Sequence, residues 1–423
     1  MEVKLREKST NWKRTQLVNL AKNEKSSFVI GPFGSDLVQS DYRSSGVPVV
    51  FVRDIKRNKF KWKSNVYLTE DKAAQLHAHS VLPGDIIVTK MGLPPGIAAL
   101  YPYDMETGIV TADILRLRPN TDKVDPTFLC NYLNSYHITK QVHQRTAGQT
   151  RPKLTLADYK TIKINLPPLL EQKKIARILS TWDKSIETVE KLIENSKAQK
   201  KALMQQLLTG KRRLPGFDGK WKTVRLGDIG DISSAGVDKK INKGEEPVRL
   251  LNYLDVLNRD FISDEQLSHW VTAPDRKIHN CNILKGDVFF TPSSETRDDI
   301  AHSAVATETI PKAAYSYHII RFRLHENWDL IFRTYAFKTP YFYKQAYSLC
   351  EGSGQRYVIS QRYFRNMTVH IPLDIEEQYK IASILSTNDK EIETLQQKLD
   401  CLKQEKKALM QQLLTGKRRV QIN

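Results

Sequence analysis

The sequence holds no apolar run near the ~20 residues that a membrane span requires. Its start, MEVKLREKST, has none of the hydrophobic core of a signal peptide, so a cytoplasmic chain is expected. Cysteine is scarce: Cys130, Cys281, Cys350 and Cys401 are scattered without a CxxC pair, which argues against a disulfide framework and a zinc site. Neither a Walker loop nor a GxGxxG follows any strand-like segment. The Asn/Asp-Pro-Pro-aromatic tetrad of amino-methyltransferases is missing too, since Pro94-Pro95 and Pro167-Pro168 lack it. Asp275-Arg276-Lys277 is a nuclease-like fragment without its acidic-x-Lys partner. The pairs His77/His79 and His279/Cys281 are isolated, as surface or core residues usually are. No catalytic residue, cofactor site or metal site is therefore assigned to this chain.

Negative charge is in short supply. Sixty-six Lys and Arg against 47 Asp and Glu give a net charge of +19, which favours a polyanionic partner and above all nucleic acid. At 423 residues and 40% hydrophobic content, the chain has room for two or three ordinary cores.

What organises the chain is a stretch that occurs twice. KKALMQQLLTGKRR spans 200–213 and again 406–419, and IARILSTWDKSIE from Ile175 matches IASILSTNDKEIE from Ile381. Both matches have the same offset, 206 residues, far beyond any solenoid unit. The chain is therefore a duplicated domain-plus-helix module.

Both copies predict long helices. Ile175, Ile178, Trp182, Ile186, Val189, Ile193, Leu203 and Leu207 recur at three- and four-residue spacings, as do Ile381, Ile384, Ile392, Leu395, Leu399, Leu402, Leu409 and Leu413. Pro167-Pro168 precedes the first, and Asp374 with Glu377 has capping-box spacing at the second. Gly210 and Gly416 stand where a left-handed cap belongs, each followed by Lys-Arg-Arg, which suits a negative helix end. About 40 residues at ~1.5 Å each make a rod of roughly 60 Å. Each helix could simply cover its own domain. Two near-identical stripes in one chain instead predict helices packed antiparallel, in a pseudo-twofold molecule.

The regions before the helices correspond segment by segment. Trp12, Leu17 and Leu20 open the first, and Trp221, Leu226 and Ile229 the second. The strand-like VPVVFVRDI (47–55) matches EPVRLLNYLDV (246–256). LPGDIIVTKMGLPPGIAA (82–99) parallels LKGDVFFTPSSETRDDIAHSAVA (284–306): a Gly-Asp turn, an apolar strand, then unlike loops. GQTRPKLTLADYKTIKINLP (148–167) parallels GSGQRYVISQRYFRNMTVHIP (352–372), each placing an arginine-bearing loop before a last strand. KRNKFKWK (56–63) alternates, so one strand would bury Phe60 and Trp62 and present Lys59, Lys61 and Lys63 as a ladder. The IGPFGS loop (30–35) predicts a tight turn, whereas SSAGVDK (233–239) stands at its place in the second region.

On these segments the chain resembles the specificity (S) subunits of bacterial type I restriction–modification systems. The carriers are IGPFGS, GVPVVFVRDI (46–55), the two GD-strand-loop segments, and LPPLLEQKKIARIL (166–179) with IPLDIEEQYKIASIL (371–385), each leading to ALMQQLLTGKRR. The ordered, duplicated set covers essentially the whole chain. The resemblance implies an α+β architecture: two similar mixed α/β target recognition domains separated by two long antiparallel conserved helices. The expected boundaries are 1–166 for the first recognition domain, 167–213 for the first helix, 214–371 for the second domain, and 372–423 for the second helix and tail. Such a subunit is not itself an enzyme. It binds double-stranded DNA at a bipartite site, docks two methyltransferase (M) subunits at the helices, and joins endonuclease/translocase (R) subunits in the full complex, with no membrane partner. S-adenosylmethionine, ATP and Mg2+ are expected on those partners. The unlike loops of the two domains predict an asymmetric site.

Candidate DNA-binding residues follow. Lys56, Arg57, Lys59, Lys61 and Lys63 would meet phosphates. Lys90, Gln149 and Arg151 in the first domain, and Arg297, Gln355 and Arg356 in the second, are the candidates for base readout, where Arg suits guanine and Gln suits adenine. A partnerless or regulatory DNA-binding relative, or a nuclease with unrecognised acidic residues, would be the other readings.

Overall fold

A computed structural model describes residues 12–92, 94–146, 152–354 and 356–421. The chain forms two compact units: residues 1–189 with 398–423, and residues 190–397. The division falls inside both long helices, Leu169–Leu207 and Ile375–Leu413, of 39 residues each. Each unit thus contains one globular region, the first part of the helix that follows it, and the last part of the other helix.

The first unit has two four-stranded sheets. One is ordered Phe28–Ile30, Ile114–Leu117, Ile86–Thr89, Ala98–Leu100, antiparallel throughout. The other is ordered Tyr67–Leu68, Val47–Val50, Gly108–Val110, Ser80–Val81, with Val47–Val50 and Gly108–Val110 parallel. The second unit repeats both orders. Gly230–Ser233, Ile320–Leu324, Val288–Phe290 and Ser303–Ala306 form one sheet, extended by Phe261–Ile262. Trp270–Ala273, Glu246–Leu251, Ile310–Tyr315 and Asn282–Ile283 form the other, with Glu246–Leu251 and Ile310–Tyr315 parallel. Two of the middle strands, Ile86–Thr89 and Val288–Phe290, are buried along their whole length and almost wholly apolar, as burial on both faces requires. The Gly-Asp turns feeding them are structural. Asp85 accepts from the Leu82 amide at 2.8 Å and from Arg118 at 2.9 and 2.8 Å; Asp287 does the same with Leu284 and Arg323.

The long helices do not each cover their own region alone. In the first unit, Ile175, Ala176 and Leu179 of the first helix enter the core together with Leu413 and Leu414 from the end of the second. In the second unit, Ile381, Ala382 and Leu385 meet Leu207 and Leu208 from the end of the first. Each fully buried Leu or Ile contributes about 1.5–3 kcal/mol. Within each unit the helical segments run antiparallel: as residue numbers rise on one, those of the partners fall. Glu171 and Asp183 pair with Arg419 and Lys406 in the first unit, and Glu377 and Asp389 with Arg213 and Lys200 in the second.

The ends of the helices also repeat. Gly210 and Gly416 are left-handed, at φ 67° and 70°, as expected of C-terminal caps. Gln172 and Gln378, both buried, bond Pro167 and Pro372 carbonyls and receive the amides of Asp125 and Asp329. Asp374 caps the second helix through the Glu376 amide at 2.8 Å, but the expected reciprocal bond from Glu377 is not made. Glu377 instead takes Arg213 at 2.7 and 2.8 Å and the Trp221 indole N–H at 3.4 Å. Glu171 holds Arg419 at 2.6 and 2.7 Å and Trp12 at 3.3 Å in the same way. A bidentate guanidinium beside a fully buried carboxylate outcompetes a cap that water could serve.

Candidate nucleic-acid interface

In the first unit four chain segments converge. The loop after Phe28–Ile30 passes so close to residue 111 that a Cβ on Gly31 would lie 2.2 Å from the Thr111 carbonyl. His79 fixes the start of that loop through the Ile30 carbonyl, at 2.7 Å. Beyond it, Phe33 is 58% exposed and lies under the Lys90 ammonium, 4.7 Å from the ring centre. The Lys90 amide donates to the Asp113 carbonyl at 2.7 Å, its carbonyl accepts from Leu154 at 3.0 Å, and Met91 bridges to Lys153. Loops 30–36, 90–92, 111–113 and 152–154 therefore form one surface.

The lysine-rich segment folds differently from the expected single strand. Ile55–Lys56 and Lys59–Phe60 make a tight hairpin with Asn58 left-handed at φ 58°, and the chain beyond Phe60 leaves the strand. The cause is Asp54. Fully buried, it accepts from the amides of Phe51, Lys63 and Ser64 and from the Ser64 hydroxyl, which draws 63–64 back against 51–54. The aromatics still turn inward, Phe60 against Tyr101 and Trp62 against Tyr67. Lys56, Lys61 and Lys63 are exposed and Lys59 is half-buried. Arg57 is exposed and donates to the Asn134 carbonyl through one guanidinium nitrogen. Lys56 and Lys59 stand directly opposite each other, a like-charge pair that costs stability.

In the second unit the corresponding loops build a small sheet. Ser293–Ser294 pairs with Arg356–Val358, which pairs in turn with Glu351–Ser353. Ser293 meets Val358 as Met91 meets Lys153 in the first unit. Arg297 stacks over Tyr357 at 5.0 Å and Tyr347 at 5.7 Å. Arg356 opens into a cleft of about 660 Å³, lined also by Lys239, Tyr253, His269, Glu295 and His318. Burial, Arg356 and Lys239 together lower the His318 pKa below its ordinary value, which favours the neutral ring.

Of the expected residues, Arg297 and Arg356 come together around one sheet, and Lys90 joins the 30–36 loop. Gln149, Arg151 and Gln355 lie outside the described residues. Sequence reasoning missed Lys239, Tyr317 and His318. It also missed that Gly236 repeats Gly31: a Cβ there would lie 2.1 Å from the Ser316 carbonyl carbon. The loop SSAGVDK lacks the GPFGS pattern but keeps the one glycine that the crossing demands.

The sequence matches the model of the type I restriction modification DNA specificity domain twice, over residues 38–196 and 218–404. The chain belongs to the family of type I restriction–modification specificity subunits. Among relatives, a putative type I restriction enzyme MjaX specificity subunit of Methanocaldococcus jannaschii is 25% identical over 392 residues, covering 89% of this chain and 88% of the relative. The MjaVIII specificity subunit of the same organism is 27% identical over 324 residues, covering 74% and 75%. In fold, the chain is similar to the S subunit of a type I restriction–modification system from M. genitalium, with a TM-score of 0.56 at 14% identity, covering 99% and 98%. The specificity subunit thus carries two copies of a DNA sequence-recognition domain, one matched in each half of the chain.

Proposed function

We propose that each unit of this specificity subunit reads one half of a split, asymmetric double-stranded DNA target. One observation carries the reading: the two units share sheet order and loop convergence, yet differ in the side chains brought to the convergence. Lys90 over Phe33 stands in the first, while Arg356 beside His318 and Arg297 on Tyr357 stand in the second. A repeated scaffold with unlike loops supports two different half-sites with unread base pairs between them. Lys56, Lys59, Lys61 and Lys63 position the duplex through phosphates, and an anionic backbone relieves the Lys56–Lys59 repulsion. Arg57, exposed on the same hairpin and tied to Asn134 through one nitrogen, adds a further phosphate contact. Lys90, Arg297 and Arg356, with Gln149, Arg151 and Gln355, are the base-reading candidates.

The subunit itself performs no chemistry in this reading. Two methyltransferase subunits dock at the long helices, and endonuclease/translocase subunits complete the assembly in the cytoplasm. S-adenosylmethionine, ATP and Mg2+ belong to those partners. The net charge of +19 supports DNA as the partner, and among the described residues no helix is long and apolar enough to cross a membrane. The test is genome-wide mapping of methylated bases in a host carrying this gene with its methyltransferase gene, and with either alone. A two-part asymmetric motif with a fixed gap, present only with both genes, is expected. No new methylation from soluble co-expressed subunits would refute the reading.

A further inference from the structure

The turn at 316–319 and the turn at 111–114 are one device used twice. In each, an isoleucine amide closes back on a hydroxyl-bearing residue: Ile114 to the Thr111 carbonyl at 2.9 Å, Ile319 to Ser316 at 3.1 Å. Each follows a strand paired in parallel within its sheet, Gly108–Val110 in the first unit and Ile310–Tyr315 in the second. Each is crowded from outside by a loop glycine, Gly31 or Gly236, with no room for a Cβ. The backbone at both turns is therefore held by a strand, a closing hydrogen bond and a crossing loop. The first residue keeps a hydroxyl, Thr111 or Ser316, and the last is isoleucine in both, whereas the two in the middle differ in kind: Ala112-Asp113 in one, Tyr317-His318 in the other.

What these two positions present is chemically opposite. Asp113 offers a carboxylate, which only accepts. His318, uncharged between Lys239 and Arg356, offers one donor and one acceptor. Its ring lies 3.9 Å from that of Tyr317, which is 47% exposed. His318 shares its cleft with Lys239 and Arg356 on the basic side and with Glu295 on the acidic side, while Asp255 in the same lining is held by the Asn252 amide and Arg259. A surface built for phosphates alone would have no use for a carboxylate such as Glu295 at that spot. A mixed donor and acceptor lining on a rigid frame suits the edges of bases.

We infer that residues 317–318 are a specificity-determining station of the second unit, His318 bonding a base edge beside Arg356, and that residues 112–113 are the matching station of the first. This rests on the DNA-reading function proposed above. Asp113 selects an amino-bearing base, and the Tyr317-His318 pair selects differently, so this station contributes to the asymmetry of the target.

The test transplants one station onto the other in the full subunit, co-expressed with its methyltransferase partner and mapped on genomic DNA beside the wild type. Y317A/H318D should change the preferred base at one position of the half-site read by the second unit, lowering methylation of the original motif roughly ten-fold or more. The other half-site and the gap should stay as they were. An unchanged motif would overturn the assignment. So would an equal loss at every site without altered preference, because that is how a phosphate contact or a structural residue behaves. Should Y317A/H318D fail to assemble, H318F keeps a flat ring but removes its donor and acceptor, and it should relax preference at the same position. Wild-type preference in H318F overturns the assignment. Absence of any two-part motif with the wild type would sink the DNA-reading function itself, a separate outcome from an unaltered motif in the variants.

Discussion

Arg213→Ala should destabilise the second unit far more than a surface arginine would. Glu377 is 2% exposed, and Arg213 supplies both of its short hydrogen bonds, at 2.7 and 2.8 Å. Once the guanidinium is gone, only the Trp221 N–H remains among the described residues, at 3.4 Å. Removing one partner of a buried ion pair costs about 3–5 kcal/mol, because the other charge is left uncompensated. The Arg213 stack on Trp221, 5.9 Å to the ring centre, is lost as well. For a unit of this size each kcal/mol moves the melting temperature by about 2–4 °C, so a fall of roughly 6–20 °C is expected. R213L/E377L should recover most of the loss, since no buried charge is then stranded. Scanning calorimetry with tryptophan fluorescence reads both variants, and the intact Arg419–Glu171 pair leaves the first unit as an internal reference. A fall of less than about 2 °C in R213A, or a double variant no more stable than the single, would refute the argument.

Two further outcomes follow from the same geometry. Gly31→Ala must push loop 30–36 off the Thr111 carbonyl, which a Cβ would approach to 2.2 Å; methylation should lose discrimination in one half-site only, and equal effects on both halves would contradict the separate role of each unit. Matched seven-residue insertions in both long helices keep two turns in phase and add ~10.5 Å, and mapping should find the unread gap longer by about three base pairs with both half-sites intact. Insertion into one helix alone breaks the register of Lys200 on Asp389 and Lys406 on Asp183, and should cost assembly instead.

The repeat, the helices and their ends were legible because they rest on local signals. A stripe at helical spacing and a glycine before Lys-Arg-Arg need no knowledge of distant partners, and Gly210 and Gly416 are left-handed as that pattern requires. The third residue of each Lys-Arg-Arg was misread for the opposite reason. Arg213 and Arg419 serve glutamates on the other helix, and nothing near them in sequence says so. The lysine ladder failed on one buried carboxylate. Asp54 collects amides from both sides of 55–62, and an alternating pattern carries no trace of that knot. At the candidate interface, Arg297 and Arg356 could be picked out as arginines in unlike loops. Their neighbour His318 could not, since its chemistry depends on Lys239 and Arg356 from other segments. Gly236 was hidden because the residues around it differ from those around Gly31, although both backbones meet the same obstacle.

The most direct test of the central claim is a chain in which residues 1–166 also replace 214–371, so that both units carry the same loops. Purified with its methyltransferase partner and mapped on genomic DNA, it should methylate a symmetric motif, the half-site of the first unit repeated in inverted orientation. If the complex still marked the original asymmetric motif, the loops of the second unit would not be reading DNA, and the account of two independent readers would be wrong.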